Sequence, residues 1–530
     1  MSKLNPTKKN TGKTVNKEGF GAYKLDKKTE LYTRVATCLW EEPKFYGEFG
    51  ETEAAIISLV DQLMPNDGDF VLKLAAYARN ELHLRTIPIV LLAEVLGHES
   101  LKNKPKTLAV EYGPFIVLRA DEMANLVAYY SERFGRPFPD ALKRIVRNRL
   151  NALTEYEALK YSGKSKKWSI RDLLRMFRPK PADCSKDALF RYIVSGELSD
   201  SLPIAIGRKT LMGKGSWDAE CQGIVADGGQ TWETVISKFG NKPEVWDALS
   251  LPFMAMLRNL RNMIECGADV DKYIKMLTSE KSVLNSKQFP YRFLSAYKAI
   301  IDINGTQAAR IIAAIKKSAD ISIANVPFIE GRNLIAVDAS GSMTQPVSKN
   351  SKITMMEIGF SLGAIMYMKS GNSDVYAFAG RCKKIDMSAC ESIIPFINEC
   401  AMSNVGYATN AHLPVYDAIR NNEIYDRIII FSDMQVWDTE AHQKSVLSRQ
   451  MPLNEAINEY RKHINADVKI IVVDIAGYGT SAVNTNDKNV LVLSGWSDRI
   501  FELINTWEQS DGDAISAISN YKKENNNGQE

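Results

Sequence analysis

The chain has 530 residues, 45% of them hydrophobic and 25% charged, with 67 Lys and Arg against 63 Asp and Glu. That length exceeds what one core organises, so two or three domains are expected, and the composition excludes a disordered, fibrous or disulfide-stapled chain. The net charge of +4 hides a division: residues 1–330 carry 49 basic and 39 acidic side chains, residues 331–530 carry 18 and 24, or +10 against −6.

From the start, residues 1–19 are polar and lysine-bearing, without an apolar core, and read as a flexible basic arm rather than a secretory signal. From about Glu30 to Ile323 helical patterns follow one another, separated by short breaks bearing Gly, Pro or Asn. Glu51–Met64 places Ala55, Ile56, Leu59, Val60 and Leu63 on one stripe. Phe70–Leu82, Pro88–Leu96, Asp121–Phe134, Pro139–Leu159, Ile170–Phe177, Lys186–Val194, Pro252–Ile264, Val270–Leu277, Pro290–Ile303 and Thr306–Ser318 continue the series. Stacked helix pairs without a strict period suggest a HEAT-like α-helical solenoid over residues 20–325. The seven cysteines, Cys38, Cys184, Cys221, Cys266, Cys382, Cys390 and Cys400, show no CxxC spacing and suit a reduced, cytoplasmic protein. No run approaches the ~20 apolar residues of a membrane span.

Residues 141–180 are the densest basic stretch, with twelve Lys and Arg against Glu155, Glu157 and Asp172. Leu142, Ile145 and Val146 take one side of a helix, which leaves Lys143, Arg144 and Arg147 to face water; a rigid face of mobile cations suits a phosphate backbone. A solvated helix surface is the plainer alternative on charge alone.

Past a hinge at Asn325-Val326-Pro327 the pattern changes to short apolar runs alternating with helices. Asn333–Val337, Asp374–Phe378, Arg427–Phe431, Lys469–Val473 and Val490–Leu493 read as strands. Ile353–Met368, Ile393–Cys400, Leu413–Arg420, Asn454–His463 and Ser497–Glu508 read as helices, a doubly wound parallel sheet spanning 326–515. Residues 516–530 read as a polar tail. The first strand ends in Asp338-Ala339-Ser340-Gly341-Ser342, which puts a carboxylate and two hydroxyls at alternate loop positions beyond a strand's carboxyl end, where open α/β sheets bind ligands. Alone, such a run is as well explained by helix capping.

Asp-x-Ser-Gly-Ser after a strand resembles the opening of the metal-ion-dependent adhesion site of von Willebrand factor A domains. That resemblance implies two later pieces, Thr409 in Gly406-Tyr407-Ala408-Thr409-Asn410 and Asp433 in Phe431-Ser432-Asp433, with Ala408 where the family usually has glycine. Asp338, Ser340, Ser342, Thr409 and Asp433 would then hold Mg²⁺ or another divalent cation, an ion that takes oxygen ligands and keeps several waters.

Lys160-Tyr161, Trp168-Ser169-Ile170-Arg171-Asp172-Leu173-Leu174-Arg175, Pro179-Lys180-Pro181, Leu257-Arg258-Asn259-Leu260 and Phe289-Pro290 resemble, in order, segments of the Ro ribonucleoprotein autoantigen family, whose RNA-binding region is the TROVE module. That family also ends in an A domain. The resemblance implies helical repeats closed into a ring and a monomer. It further implies small structured noncoding (Y-like) RNA on the outer basic surface, single-stranded 3′ ends of misfolded RNA in a central hole, and RNA quality control or processing without catalysis. Lys143, Arg144, Arg147, Lys164, Lys167, Arg171, Arg175, Arg178 and Lys180 are the expected RNA contacts, Arg178 standing where the family often has histidine. An exoribonuclease or another protein is the partner class left open. Two alternatives remain: a metal-dependent protein-docking module, and a metal-dependent hydrolase, for which the sequence offers neither HExxH nor a nucleophile elbow.

Overall fold

The computed structural model describes residues 13–15, 21–37, 51–101, 107–161, 167–213, 231–347, 352–387, 392–401, 403–433, 452–477, 480–485, 487–495, 500–509 and 514–521. The chain packs as two compact units, Leu39–Val270 with Ile515–Glu530, and Met1–Cys38 with Asp271–Ala514. The first is helical throughout its described residues. The second combines helices with a mixed sheet.

In the helical unit the two helices expected at Glu51–Met64 and Phe70–Leu82 form one element, Glu51–Asn80, kinked where Pro65 lacks a backbone donor and Asp67 leaves helical geometry at φ −128°. Its neighbour Thr86–Gly97 is buried from Ile87 to Leu96 on all sides, as an apolar helix without a polar face must be. Thr107–Ile116 and Ala120–Arg133 pack on these two, then Asp140–Asn151, Ile170–Phe177 and Cys184–Ser195 follow, each against its predecessors. That layer-on-layer order is the expected solenoid. The single helix expected at Pro139–Leu159 is two, Asp140–Asn151 and Glu155–Lys160: the Thr154 hydroxyl accepts the Glu157 N–H at 3.1 Å and starts a new helix.

The sheet of the second unit runs β5-β4-β3-β6-β7-β9, where β3 is Asn333–Asp338, β4 Ser373–Phe378, β5 Cys382–Ile385, β6 Arg427–Ser432, β7 Lys469–Asp474 and β9 Val490–Ser494. All neighbours are parallel except the edge strand β5, so the expected parallel sheet is a mixed one. One face packs Leu334, Tyr376, Ile428, Ile430 and Val472 against Val415 and Tyr460 of the helices Leu413–Arg420 and Pro452–His463. Met355–Ser370 covers the other face, pressed close by two glycines. A Cβ on Gly359 would meet Val337 Cγ1 at 2.8 Å, and one on Gly363 would meet Val337 Cγ2 at 3.1 Å. Gly359→Leu should therefore cost about 1–3 kcal/mol by overpacking, read as a lower melting temperature in a thermal denaturation series. An unchanged midpoint would mean that the helix rides further from the sheet.

Asp271–Thr278, Glu280–Asn285, Pro290–Ile300 and Thr306–Ser322 pack in the same unit as the sheet: Lys298 is ion-paired with Glu357 at 2.5 Å, and the Ile393 N–H donates to Asp320 Oδ1 at 3.0 Å. The expected arm contains the strand β1, Lys13–Val15, paired antiparallel with β2, Gly21–Lys24, and β2 pairs in turn with β8, Thr480–Ser481. Lys27–Thr37 follows, fixed by Arg34 donating to Glu30 and to the Gly477 carbonyl, each at 3.0 Å. At the other terminus the expected tail holds a helix, Ala514–Ser519, and Tyr521. The Tyr521 hydroxyl donates to Glu81 at 2.9 Å and its ring meets Tyr77 edge-on.

Arg427, at the start of β6, makes two bonds to Glu508 at 2.5 and 2.6 Å, with both side chains nearly buried. Burial alone would raise the Glu508 carboxyl, but the hydrogen bonds and charge of Arg427 outweigh it and hold the carboxyl below its usual range. A depressed carboxylate contributes stability above its unfolded pKa, roughly 4.3, and loses that contribution as pH falls through the folded value. Arg427→Ala leaves the nearly buried carboxylate with Lys469, 3.4 Å away, and should cost about 3 kcal/mol, the lower end for breaking a buried pair. Glu508→Gln should flatten the acid limb of stability against pH. Chemical denaturation between pH 3 and 7 checks both.

Candidate metal site and basic face

β3 delivers Asp338 fully buried, and the chain then turns through buried Ser340 to exposed Ser342. The Ser340 N–H donates to Asp338 Oδ1 at 2.8 Å, which curls the loop back over the strand end, and the Ser340 and Ser342 hydroxyls stand 3.2 Å apart. In the neighbouring β6 the register pairs Val337 with Phe431, so Ser432 and the buried Asp433 emerge at the same edge. The Ser432 hydroxyl donates to Asp338 Oδ2 at 2.5 Å.

Thr409 arrives on a third loop, which is held to the end of β4. Asn410 N–H donates to the Ala379 carbonyl at 3.1 Å and Arg381 N–H to the Val405 carbonyl at 2.8 Å, while Ala339 N–H reaches Phe378 O at 2.8 Å from the first loop. Gly406, at φ +96°, passes so near Gly380 that a Cβ would sit 3.4 Å from its backbone. Ala408 is buried beside Thr409, so its methyl group is accommodated where the A-domain pattern usually has glycine. The five expected ligand residues thus lie on loops gathered at the carboxyl ends of the central strands.

Burial, and after it the charge of Asp433, pushes the Asp338 carboxyl up to about 7 despite the lowering bonds from Ser432 and Ser340. Among the described residues no three His, Cys, Asp or Glu side chains converge. The donors here are instead two carboxylates and three hydroxyls, all oxygen. That set fits a small hard cation that retains water, whose charge would offset the repulsion between the acids.

The basic face centres on the helix Ile170–Phe177. Its N-terminus is closed by a capping box: Ser169 accepts the Asp172 N–H at 3.2 Å and its hydroxyl donates to Asp172 Oδ2 at 2.6 Å. The Ser-x-x-Asp of the shared segment is therefore helix-start chemistry. At the other end Arg178 caps the helix in the left-handed conformation, φ 43° and ψ 62°. Arg147 Nε donates to the Phe177 carbonyl at 2.8 Å, and Asn151 grips the next turn of chain through Lys180 O and Ala182 N, each at 2.9 Å. Arg147, Arg175, Arg178 and Lys180 are exposed around this frame, and Arg144 is exposed on the same helix as Arg147.

The other expected contacts are partly engaged. Lys143 is paired with Asp140 at 2.9 Å, Lys167 with Glu132, and Arg171 Nε donates to the Ile193 carbonyl at 2.8 Å. Lys164 lies outside the described residues.

The profile of the TROVE domain matches residues 24–201 and 207–358, and that of the Ro60 vWA domain matches 332–508. The chain belongs to the TROVE family of Ro proteins. The RNA-binding protein RO60 of Caenorhabditis elegans is 26% identical over 280 residues, 50% of this chain and 42% of that one. The RNA-binding protein RO60 of Deinococcus radiodurans is 20% identical over 359 residues, 64% of this chain and 65% of that one. Telomerase protein component 1 of Rattus norvegicus is 26% identical over 334 residues, 52% of this chain and 13% of that one. The chain thus spans less than two thirds of each of these relatives. The crystal structure of the Deinococcus radiodurans RO (RSR) protein superposes with a TM-score of 0.70, covering 92% of this chain and all of that one at 16% identity, which establishes the shared fold.

Two residues of these loops were not singled out in the sequence. Ser432 bonds Asp338 directly, and its signal was its place between an apolar strand and an aspartate. Tyr407 is 88% exposed with its ring 3.8 Å from a Cβ built on Gly341, so it stands at the rim of the site. An exposed aromatic beside Gly was the only hint.

Proposed function

We propose that this chain is a non-catalytic RNA-binding protein of the Ro type. Its basic helical face holds a small structured noncoding RNA of the Y kind, and a central hole takes single-stranded 3′ ends of misfolded RNA, in RNA quality control or processing. The observation that carries the reading is the cluster of Arg147, Arg175, Arg178 and Lys180, exposed on a frame that backbone hydrogen bonds fix in place. Several cations on one rigid surface match the spacing of phosphates without first having to be ordered. Relatives named RNA-binding protein support the same class.

The A domain would hold Mg²⁺ through Asp338, Ser340, Ser342, Thr409 and Asp433. Bound there, the ion supplies an open coordination position and positive charge. Exposed Tyr407 beside that loop favours a second role, docking a protein such as an exoribonuclease. Hydrolysis has less support, since none of the five ligands is placed as a general base.

Filter binding of a folded small RNA across 50–300 mM salt tests the main reading. Affinity should fall linearly in log–log form with a slope of about −0.9 per neutralised phosphate, or about −0.7 on single strands. A protein that binds no folded or single-stranded RNA at the lowest salt does not have this function.

A further inference from the structure

A cavity of about 320 Å³ opens in the helical unit between the helices Thr107–Ile116, Asp140–Asn151 and Glu155–Lys160. The first two are in direct contact beside it, since a Cβ on Gly113 would meet Ile145 Cγ1 at 2.7 Å. Val117 and Ile145 line the cavity as buried apolar side chains, and Leu118, 41% exposed, stands at its mouth. Arg149 and Glu157 supply charged groups to the wall.

Arg149 is only 9% exposed, and its Nη2 donates to Glu157 Oε1. Its Nε–H is buried and has no hydrogen-bond partner among the described residues. A buried donor left unpaired carries a cost that an acceptor entering the cavity removes. The two charges of the wall cancel within the Arg149–Glu157 pair, so a charged ligand would meet a like charge on one partner or the other. The lining therefore selects against carboxylates and amines and favours an uncharged apolar body with one strong acceptor. The volume lies at the low end of the roughly 300–1,000 Å³ of small-ligand sites, which restricts that body to about the size of a single ring.

We propose that this cavity binds a compact, uncharged carbonyl compound, its oxygen accepting from Arg149 Nε–H and its apolar body lying against Val117 and Ile145. Such binding requires neither RNA nor a metal ion.

Acetophenone, cumene and benzoate are monosubstituted benzenes of similar size that carry a neutral acceptor, no such acceptor and an anionic one. Ligand-observed NMR titrations of the full chain should show acetophenone bound about tenfold more tightly than cumene, the gain from one hydrogen bond to a charged donor. Benzoate, facing Glu157, should bind more weakly than acetophenone. Arg149→Lys keeps a cation beside Glu157 but loses the Nε–H, and should bring acetophenone down to the affinity of cumene. Ala152→Phe, at an exposed lining position, should exclude both probes, and it decides the matter even where Arg149→Lys does not fold. Equal binding of acetophenone and cumene to the unaltered chain would mean that solvent serves the Nε–H and would overturn the site. Tighter binding of benzoate, unchanged binding of acetophenone in Ala152→Phe, or no binding of acetophenone up to its solubility limit would overturn it as well.

Discussion

The triple variant Arg144→Gln, Arg175→Gln, Arg178→Gly should lose about a hundredfold in affinity for folded RNA near physiological salt and keep its fold. The arithmetic is simple: three exposed cations at about 1 kcal/mol each sum to about 3 kcal/mol, or two decades in the dissociation constant. The salt dependence is the sharper readout. Removing three phosphate contacts should make the log–log slope shallower by nearly 3, at about 0.9 per phosphate. Arg178 makes the experiment specific. It sits at φ 43°, ψ 62°, a left-handed conformation that costs a non-glycine residue roughly 1–2 kcal/mol. Glycine adopts it freely, so Arg178→Gly alone should raise the melting temperature while weakening RNA binding. An unchanged slope in the triple variant would place the RNA elsewhere on the protein.

The parts of this molecule that were readable in its sequence are those whose signals are local. The run Leu334–Val337 is buried on both faces, as its unbroken branched residues imply, and Asp338, Ser340 and Asp433 emerge at the strand ends because β3 and β6 are parallel neighbours. The Thr154-x-x-Glu157 capping box was also present in the sequence, but the apolar spacing continues across it and hid the break. Other features depend on partners far along the chain. Lys13–Val15 looks like solvated polar chain until its pairing with Gly21–Lys24 is set beside Thr480–Ser481, more than 450 residues on. Likewise Tyr521 has no local reason to be ordered; Tyr77 and Glu81 supply it. Of the basic residues, Lys143 had a visible partner three positions away in Asp140, whereas Glu132 beside Lys167 was 35 positions distant. Charge density alone could not separate these engaged lysines from Arg175 and Arg178.

Asp338→Asn should remove all response of the protein's stability to divalent cations, and in chelator it should be at least as stable as the unaltered chain. Both halves follow from burial. Asp338 is wholly excluded from solvent and is acted on by the charge of Asp433, so without a cation its negative charge is a cost that the Ser340 and Ser432 bonds only partly offset. Asparagine is nearly the same size: its Oδ1 can still accept from Ser340 N–H and its Nδ2 can donate to the Ser432 hydroxyl oxygen, so the variant sheds the charge without opening a cavity. With a cation the order reverses. An ion present at a hundredfold over its dissociation constant stabilises the unaltered chain by about 2.7 kcal/mol. For a domain of this size that is a rise of roughly 5–11 °C in the sheet unit's melting temperature. The opposite signs in chelator and in Mg²⁺ distinguish loss of a ligand from simple damage to the fold, which would lower stability in both. Differential scanning calorimetry with Mg²⁺, Mn²⁺ and a chelator gives the result directly. Identical transitions for the unaltered chain in all three solutions would remove the metal from this site.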